Sequence, residues 1–145
     1  MGAYAVIYHA QPRFTKHIDL FIQADPDNAR ATYAALAAFG ARLQGIRPEE
    51  FAERGSFFRF GCDPRCVDIL PDIPGVDFEA AWERRVEGVI DPKSGLKAFF
   101  ISAPDLIASK LAAGRPQDIA DVAAIREAAE ARLPHPAREN PGRAG

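Results

Sequence analysis

The clearest pattern in the chain is a strict alternation over residues 13–22. Ile18, Leu20 and Ile22 fall on one face of an extended segment, and Arg13, Thr15, His17 and Asp19 fall on the other. A period of two predicts a strand, here roughly residues 14–22, with one buried face. The second face is unusual because it lines up a cation, a hydroxyl, an imidazole and a carboxylate. The stretch Cys66–Leu70 repeats the pattern, with Val67 and Ile69 pointing one way and Cys66 and Asp68 the other. If the two strands are neighbours, Asp19 and Asp68 stand side by side.

Other elements follow from the same reading. Gly2 before small and apolar residues predicts a short helix whose first N–H groups offer an anion site, closed by Pro12. Asp25-Pro26 starts a helix with Ala29, Tyr33, Leu36, Ala37 and Phe39 as its apolar stripe and Gly40 as its stop. Arg47–Phe51 is a short turn or helix. Ser56–Phe60 is a strand, and the turn-rich Gly61–Arg65 joins it to residues 66–70 as a hairpin. After breaks at Pro71, Pro74 and Gly75, Asp77 caps a helix in which Phe78, Ala81, Trp82 and Val86 are expected to be core. Strands follow at about 86–91 and 96–101. Ser102-Ala103-Pro104-Asp105 then opens a helix ending at Gly114, and a last helix runs from about Pro116 to Leu133. The expected fold class is α/β (α+β), a mixed sheet of four to five strands with flanking helices.

The bulk numbers narrow the function classes. One hundred and forty-five residues with 48% apolar content make one domain with a packed core. A formal charge of −2 excludes a broadly basic nucleic-acid surface and leaves room for a local phosphate site. No apolar run approaches the roughly 20 residues that span a bilayer, and no secretory leader pattern is present, so no membrane partner is expected and the cytoplasm is the expected compartment. Cys62 and Cys66 are too few for a disulfide framework. Residues 1–132 are expected to form the domain and residues 133–145 a disordered tail.

Paired carboxylates on a rigid sheet suit a hard divalent cation that shares its coordination with substrate phosphates. The plainer alternative is that Asp19 and Asp68 are strand-end carboxylates satisfied by Arg13 or Arg65, and that His17 is a solvated histidine. Cys66 shares a face with Asp68, so a mixed site of His17, Asp19, Cys66 and Asp68 stands beside the simpler reading of a small buried thiol. By default, His9 is a packing residue and Lys110 and Arg115 are helix-end cations.

Several stretches together resemble a known family. They are Gly2-Ala3-Tyr4-Ala5, Pro12-Arg13-x-Thr15-Lys16-x-Ile18-Asp19, Val67-Asp68-Ile69-Leu70 and Gly75-Val76-Asp77-Phe78-x-x-Ala81-Trp82. The last runs from Asp105-Leu106-Ile107-Ala108 through Lys110, Ala112 and Gly114-Arg115-Pro116 to Asp118 and Asp121-Val122. In order and spacing they resemble the minimal nucleotidyltransferase domains of the polymerase-beta-like superfamily, and among these the bacterial proteins related to abortive-infection toxins. The resemblance implies transfer of a nucleoside monophosphate from a nucleoside triphosphate to a hydroxyl of an RNA or protein acceptor, with Mg2+ or Mn2+, and Zn2+ behind these. Carried over residue by residue, it makes Asp19 and Asp68 catalytic carboxylates. Asp19, Asp68 and His17 would hold metal. Gly2, Ala3, Arg13, Thr15, Lys16, Lys110, Arg115, Asp118 and Asp121 would bind nucleotide. The chain departs from the family in two ways. His17 stands where the first carboxylate is expected, and the strand that normally precedes the glycine motif is missing, so the expected activity is weak or lost. The other function class is a non-catalytic interaction module, a homodimer or a toxin–antitoxin partner, using an exposed sheet edge.

Overall fold

The computed structural model describes residues 2–10, 12, 14–62 and 65–132. Arg13 and the expected tail, residues 133–145, lie outside the described residues. The chain runs α1 (Ala3–His9), β1 (His17–Phe21), α2 (Pro26–Phe39), a 3-10 turn (Pro48–Ala52), β2 (Phe58–Cys62), β3 (Arg65–Leu70), α3 (Phe78–Glu83), β4 (Val86–Asp91), β5 (Leu96–Phe100), α4 (Ala103–Ala113) and α5 (Pro116–Ala131).

Local chemistry fixes the helix ends. The Asp25 side chain accepts from the backbone N–H groups of Asp27 and Asn28, both at 2.9 Å, and Pro26 sits in the first turn of α2. That helix stops at Gly40, whose φ of +91° is the left-handed conformation that glycine adopts without a steric penalty. Asp77 and Ser102 cap α3 and α4 in the same way, accepting from Ala80 at 3.0 Å and Asp105 at 3.3 Å.

The five strands make two sheets. In the first, β3 is central, parallel to β1 and antiparallel to β2, and the hairpin expected from Gly61–Arg65 is the β2–β3 pair. The second is the antiparallel pair β4–β5. Because β1 and β3 run parallel, the chain needs a crossover between them, and α2, the 3-10 turn and β2 lie along it. Ala29 and Leu36 of α2 pack with Phe51, Phe60 and Ile69 into one buried cluster. A second cluster, Ala5, Val6, Leu106 and Ile125, ties α1 to α4 and α5. The functional face lies between these two clusters.

Three core expectations change. Ala37 and Phe39 are exposed, because only Ala29, Tyr33 and Leu36 keep the 4- and 3-residue steps that hold one face of a helix inward. Val86 opens β4 instead of continuing α3. Trp82 is 42% exposed and lines a groove instead of filling a core. His9 is buried as expected, with its Nε2 2.7 Å from the Ile101 carbonyl, and burial lowers its pKa.

Candidate functional site

In the β1–β3 ladder Asp19 pairs with Asp68 and His17 with Cys66. Parallel strands in register carry matched positions to the same side, so the two carboxylates are neighbours. His17 Nε2 lies 3.7 Å from Asp19 Oδ2 and 4.0 Å from Asp68 Oδ2. One donor atom from each of the three residues falls within 4.8 Å of the others. Cys66 is buried beside this group and is not part of it. The polar face of β1 is therefore the better covered one. Asp68 and Asp19 side chains are 2% and 12% exposed, whereas Leu20 on the apolar face is 41% exposed.

Gly2 presses on this centre from the start of α1. Its φ of −82° is open to any residue, so conformation is not what position 2 demands. A Cβ there would fall inside the Asp19 carboxylate. The glycine is what lets the backbone close over Asp19.

The two carboxylates differ in their partners. Asp68 is gripped by Arg59 of β2, Nε at 2.7 Å and Nη2 at 2.6 Å, in a bidentate fork. For Asp68 the cation is thus Arg59 and not Arg65; register places Arg59 opposite Asp68, and sequence spacing does not single it out, while Arg13 lies outside the described residues. Asp19 has no such partner among the described residues. Its Oδ2 is buried and accepts no hydrogen bond among the described residues. Burial raises its pKa, nearby positive groups oppose that shift, and the Asp68 charge adds to it.

Across from the sheet, α4 and α5 carry a buried ionic cluster. Lys110 Nζ lies 3.0 Å from Asp118 and 2.7 Å from Asp121. Arg115 reaches Asp118 through Nε at 2.6 Å and Nη2 at 3.2 Å, and Gln117 donates to Asp121 at 3.1 Å. The Arg115 hydrogen bonds are the main reason the Asp118 pKa falls to about 2, with Lys110 assisting. Lys110 is therefore a buried partner in this cluster, whereas Arg115, at the start of α5, holds Asp118 while its side chain stays 67% exposed.

All these groups line one cleft of about 920 Å³. Gly2, Ala3, Thr15, Lys16, His17, Asp19, Asp68, Lys110, Arg115, Asp118 and Asp121 all contribute to its wall. Thr15 is oriented by donating to the His17 carbonyl at 3.0 Å. Arg13 is the one expected site residue outside the described residues. Sequence reading missed Arg59, Gln117 and two exposed phenylalanines, Phe14 and Phe57, on the cleft wall. Phe57, expected inside the strand Ser56–Phe60, lies just before β2, and the guanidinium of Arg59 two residues on is 5.5 Å from its ring.

A family model described as a nucleotidyltransferase of unknown function (DUF6036) matches residues 1–128. The chain belongs to this nucleotidyltransferase family. No curated protein matches its sequence. Nucleotidyltransferases take nucleotide substrates and typically use divalent metals, and the His17, Asp19 and Asp68 donors of this family member fit such an ion. The buried Asp19 oxygen accepts no hydrogen bond among the described residues, which leaves it a lone pair to offer an ion. Each Asp68 oxygen gives one acceptor site to Arg59 and keeps another. Formally, Asp19, Asp68 and Arg59 sum to −1, which balances one dication poorly and two adjacent dications hardly at all. Among the described residues no helix of this nucleotidyltransferase is long and apolar enough to cross a membrane.

Proposed function

We propose that the cleft binds a nucleoside triphosphate with one divalent cation and transfers its nucleoside monophosphate to an acceptor hydroxyl, at a low rate. The observation that supports this reading is the Asp19 carboxylate, buried without a hydrogen-bond donor among the described residues and in register with Asp68 in a cleft that also holds Lys16, Arg59 and Arg115. Asp19 is the anchoring ligand, with His17 and Asp68 beside it. Arg59 keeps Asp68 fixed in one orientation. Lys16 and Arg115 face the triphosphate, since the bonds of Arg115 to Asp118 use two of its five N–H groups. Phe57 offers a face for the base to stack on.

A divalent cation in this place supplies charge neutralisation and polarises the α-phosphate. The chain supplies position and field: a bond forms from the acceptor oxygen to the α-phosphorus, the bond to the bridging oxygen breaks, and pyrophosphate leaves with the electron pair. The imidazole at position 17 provides one neutral donor where a carboxylate would give charge. Mn2+ therefore serves better than Mg2+, with Zn2+ retained as the comparison ion.

Calorimetry with a non-hydrolysable nucleoside triphosphate in Mg2+, Mn2+, Zn2+ or chelator tests the reading. Binding should need the cation and should vanish in Asp19→Asn. Equal heats with and without metal, or no heat with any nucleotide, would overturn it.

A further inference from the structure

The polar cleft has an apolar neighbour. A cavity of about 180 Å³ lies between β1, α3 and the β4–β5 pair, and Gly2 and Asp19 line both spaces. The cavity therefore adjoins residue 19, whose carboxylate is the proposed anchor of the cation. Its wall is an aromatic ladder with ring centroids 5.0 Å apart from Phe21 to Phe78, 5.9 Å from Phe78 to Trp82 and 5.3 Å from Trp82 to Phe99. Trp82 and Phe99 are both among the exposed large hydrophobic residues of the molecule.

One cation sits in this ladder. The Arg85 guanidinium carbon lies 4.0 Å from the Trp82 ring centroid and 4.8 Å from that of Phe99. One of its N–H groups donates to the Trp82 carbonyl at 2.6 Å. Its Nε–H is buried and has no acceptor among the described residues. A charged donor held in an apolar cavity without an acceptor is costly, and a ligand oxygen relieves that cost.

We propose that this cavity is the acceptor subsite, and that it takes a single aromatic ring bearing a hydroxyl and a carbonyl or carboxylate oxygen. The ring packs on Trp82 and Phe99, the carbonyl or carboxylate oxygen meets Arg85, and the hydroxyl faces Asp19. Size favours this occupant. An apolar cavity of about 150 Å³ holds benzene, so this one holds a ring with a substituent. A five-residue strand, about 17 Å long, does not fit. An RNA ribose and its phosphates would be stripped of water against aromatic walls that cannot hydrogen-bond to them. A tyrosine side chain with its own backbone carbonyl and a free hydroxyaromatic acid share the required chemistry.

The inference rests on the reading of the polar cleft as a nucleoside triphosphate site. In the transfer the ring oxygen bonds to the α-phosphorus, pyrophosphate departs with the electrons of the broken bond, and the hydroxyl proton passes to solvent.

Trp82 is the only tryptophan in the chain, so its fluorescence reports on this cavity without any nucleotide. Titration with 4-hydroxyphenylacetate, or with a short tyrosine-containing peptide, should give a saturable change. Arg85→Gln should weaken binding about tenfold or more. Ala98→Phe, which fills the cavity from β5, should abolish it. With Mn2+ and a triphosphate labelled at the α-phosphate, label should pass to the hydroxyl probe and never to phenylacetate. Transfer to the free acid marks a small-molecule acceptor, and transfer to the peptide alone marks a protein. No saturable change, unaltered binding in both variants, or self-association that blocks the probe would overturn the subsite. Loss of ring binding with nucleotide heat intact overturns the subsite alone. Ring binding without any nucleotide heat overturns the reading of the polar cleft and with it the acceptor role. A protein that binds both partners and transfers no label overturns the acceptor role.

Discussion

Asp19 carries a buried carboxylate oxygen in the cleft that accepts no hydrogen bond among the described residues. Burial raises its pKa, so the folded chain binds this proton more tightly than the unfolded chain does. The sign follows: stability from this group is present below the ordinary carboxylate pKa of 3.8 and is lost as pH rises through the raised folded value. In the metal-free protein this carboxylate keeps one oxygen that accepts no hydrogen bond among the described residues. Asp19→Asn should therefore raise metal-free stability at pH 7 by about 1 kcal/mol, measured by urea denaturation, while eliminating cation binding. For the native chain, Mn2+ affinity should climb with pH across the same window. Affinity that is flat with pH would mean that the ion is not held by this group. His17→Asp makes the opposite trade. A third carboxylate on the same face of β1, where the His17 ring now comes within 3.7 Å of Asp19, adds like-charge repulsion in the metal-free chain and charge for an ion. The variant should be less stable without metal, should bind Mg2+ at least about tenfold more tightly, and should gain Mg2+-dependent transfer.

At the scale of elements, α4 and α5 are joined by ions as well as by apolar packing. Lys110, Asp118 and Asp121 are all buried, so each charge depends on the others. The Asp118 pKa of about 2 lies nearly two units below the ordinary 3.8, chiefly through Arg115. A depressed carboxylate pKa gives stability that is present above pH 4 and is lost as pH falls from 4 towards 2, here about 2 kcal/mol. Asp118→Asn should cost about 3 kcal/mol at pH 7, since Lys110 then stays buried with only Asp121, and the difference from the native chain should shrink on acidification. Chemical denaturation from pH 2 to pH 7 reads both effects. This clamp also shows what a sequence discloses. Caps at Asp25, Asp77 and Ser102, the stops at Gly40 and Gly114, and the alternation of β1 are local, and they were legible. So was the pairing of Asp19 with Asp68, because one register follows from two alternating strands. The Arg59–Asp68 fork was not legible, since it depends on how β2 meets β3 across a turn. Nor was the split into two sheets, or the exposure of Trp82. Those depend on where α3 and the β4–β5 pair settle against the edge of β1, and no residue-to-residue spacing encodes that.

For the whole molecule, the cleft is assembled from segments that are remote along the chain: Gly2 before α1, β1, β2, β3 and the α4–α5 pair. Unfolding scatters all of them, so a ligand that bridges them binds the native state alone and stabilises it by mass action. In the proposed reading a cation is held by the β1–β3 ladder alone, whereas a triphosphate spans the cleft to Arg115 at the start of α5. The two should therefore stabilise more together than the sum of their separate effects. At free ligand near 100 times Kd the gain is about 2.7 kcal/mol, which for a chain of this length raises Tm by about 5–10 °C. Thermal scans with Mn2+ alone, triphosphate alone, and both should show that order. Chelator should return the curve with both ligands to that with triphosphate alone, and Asp19→Asn should abolish the synergy. An equal rise with triphosphate in chelator would place the nucleotide away from the β1–β3 carboxylates, on α4 and α5 only, and would separate the phosphate-binding half of the cleft from its metal-binding half.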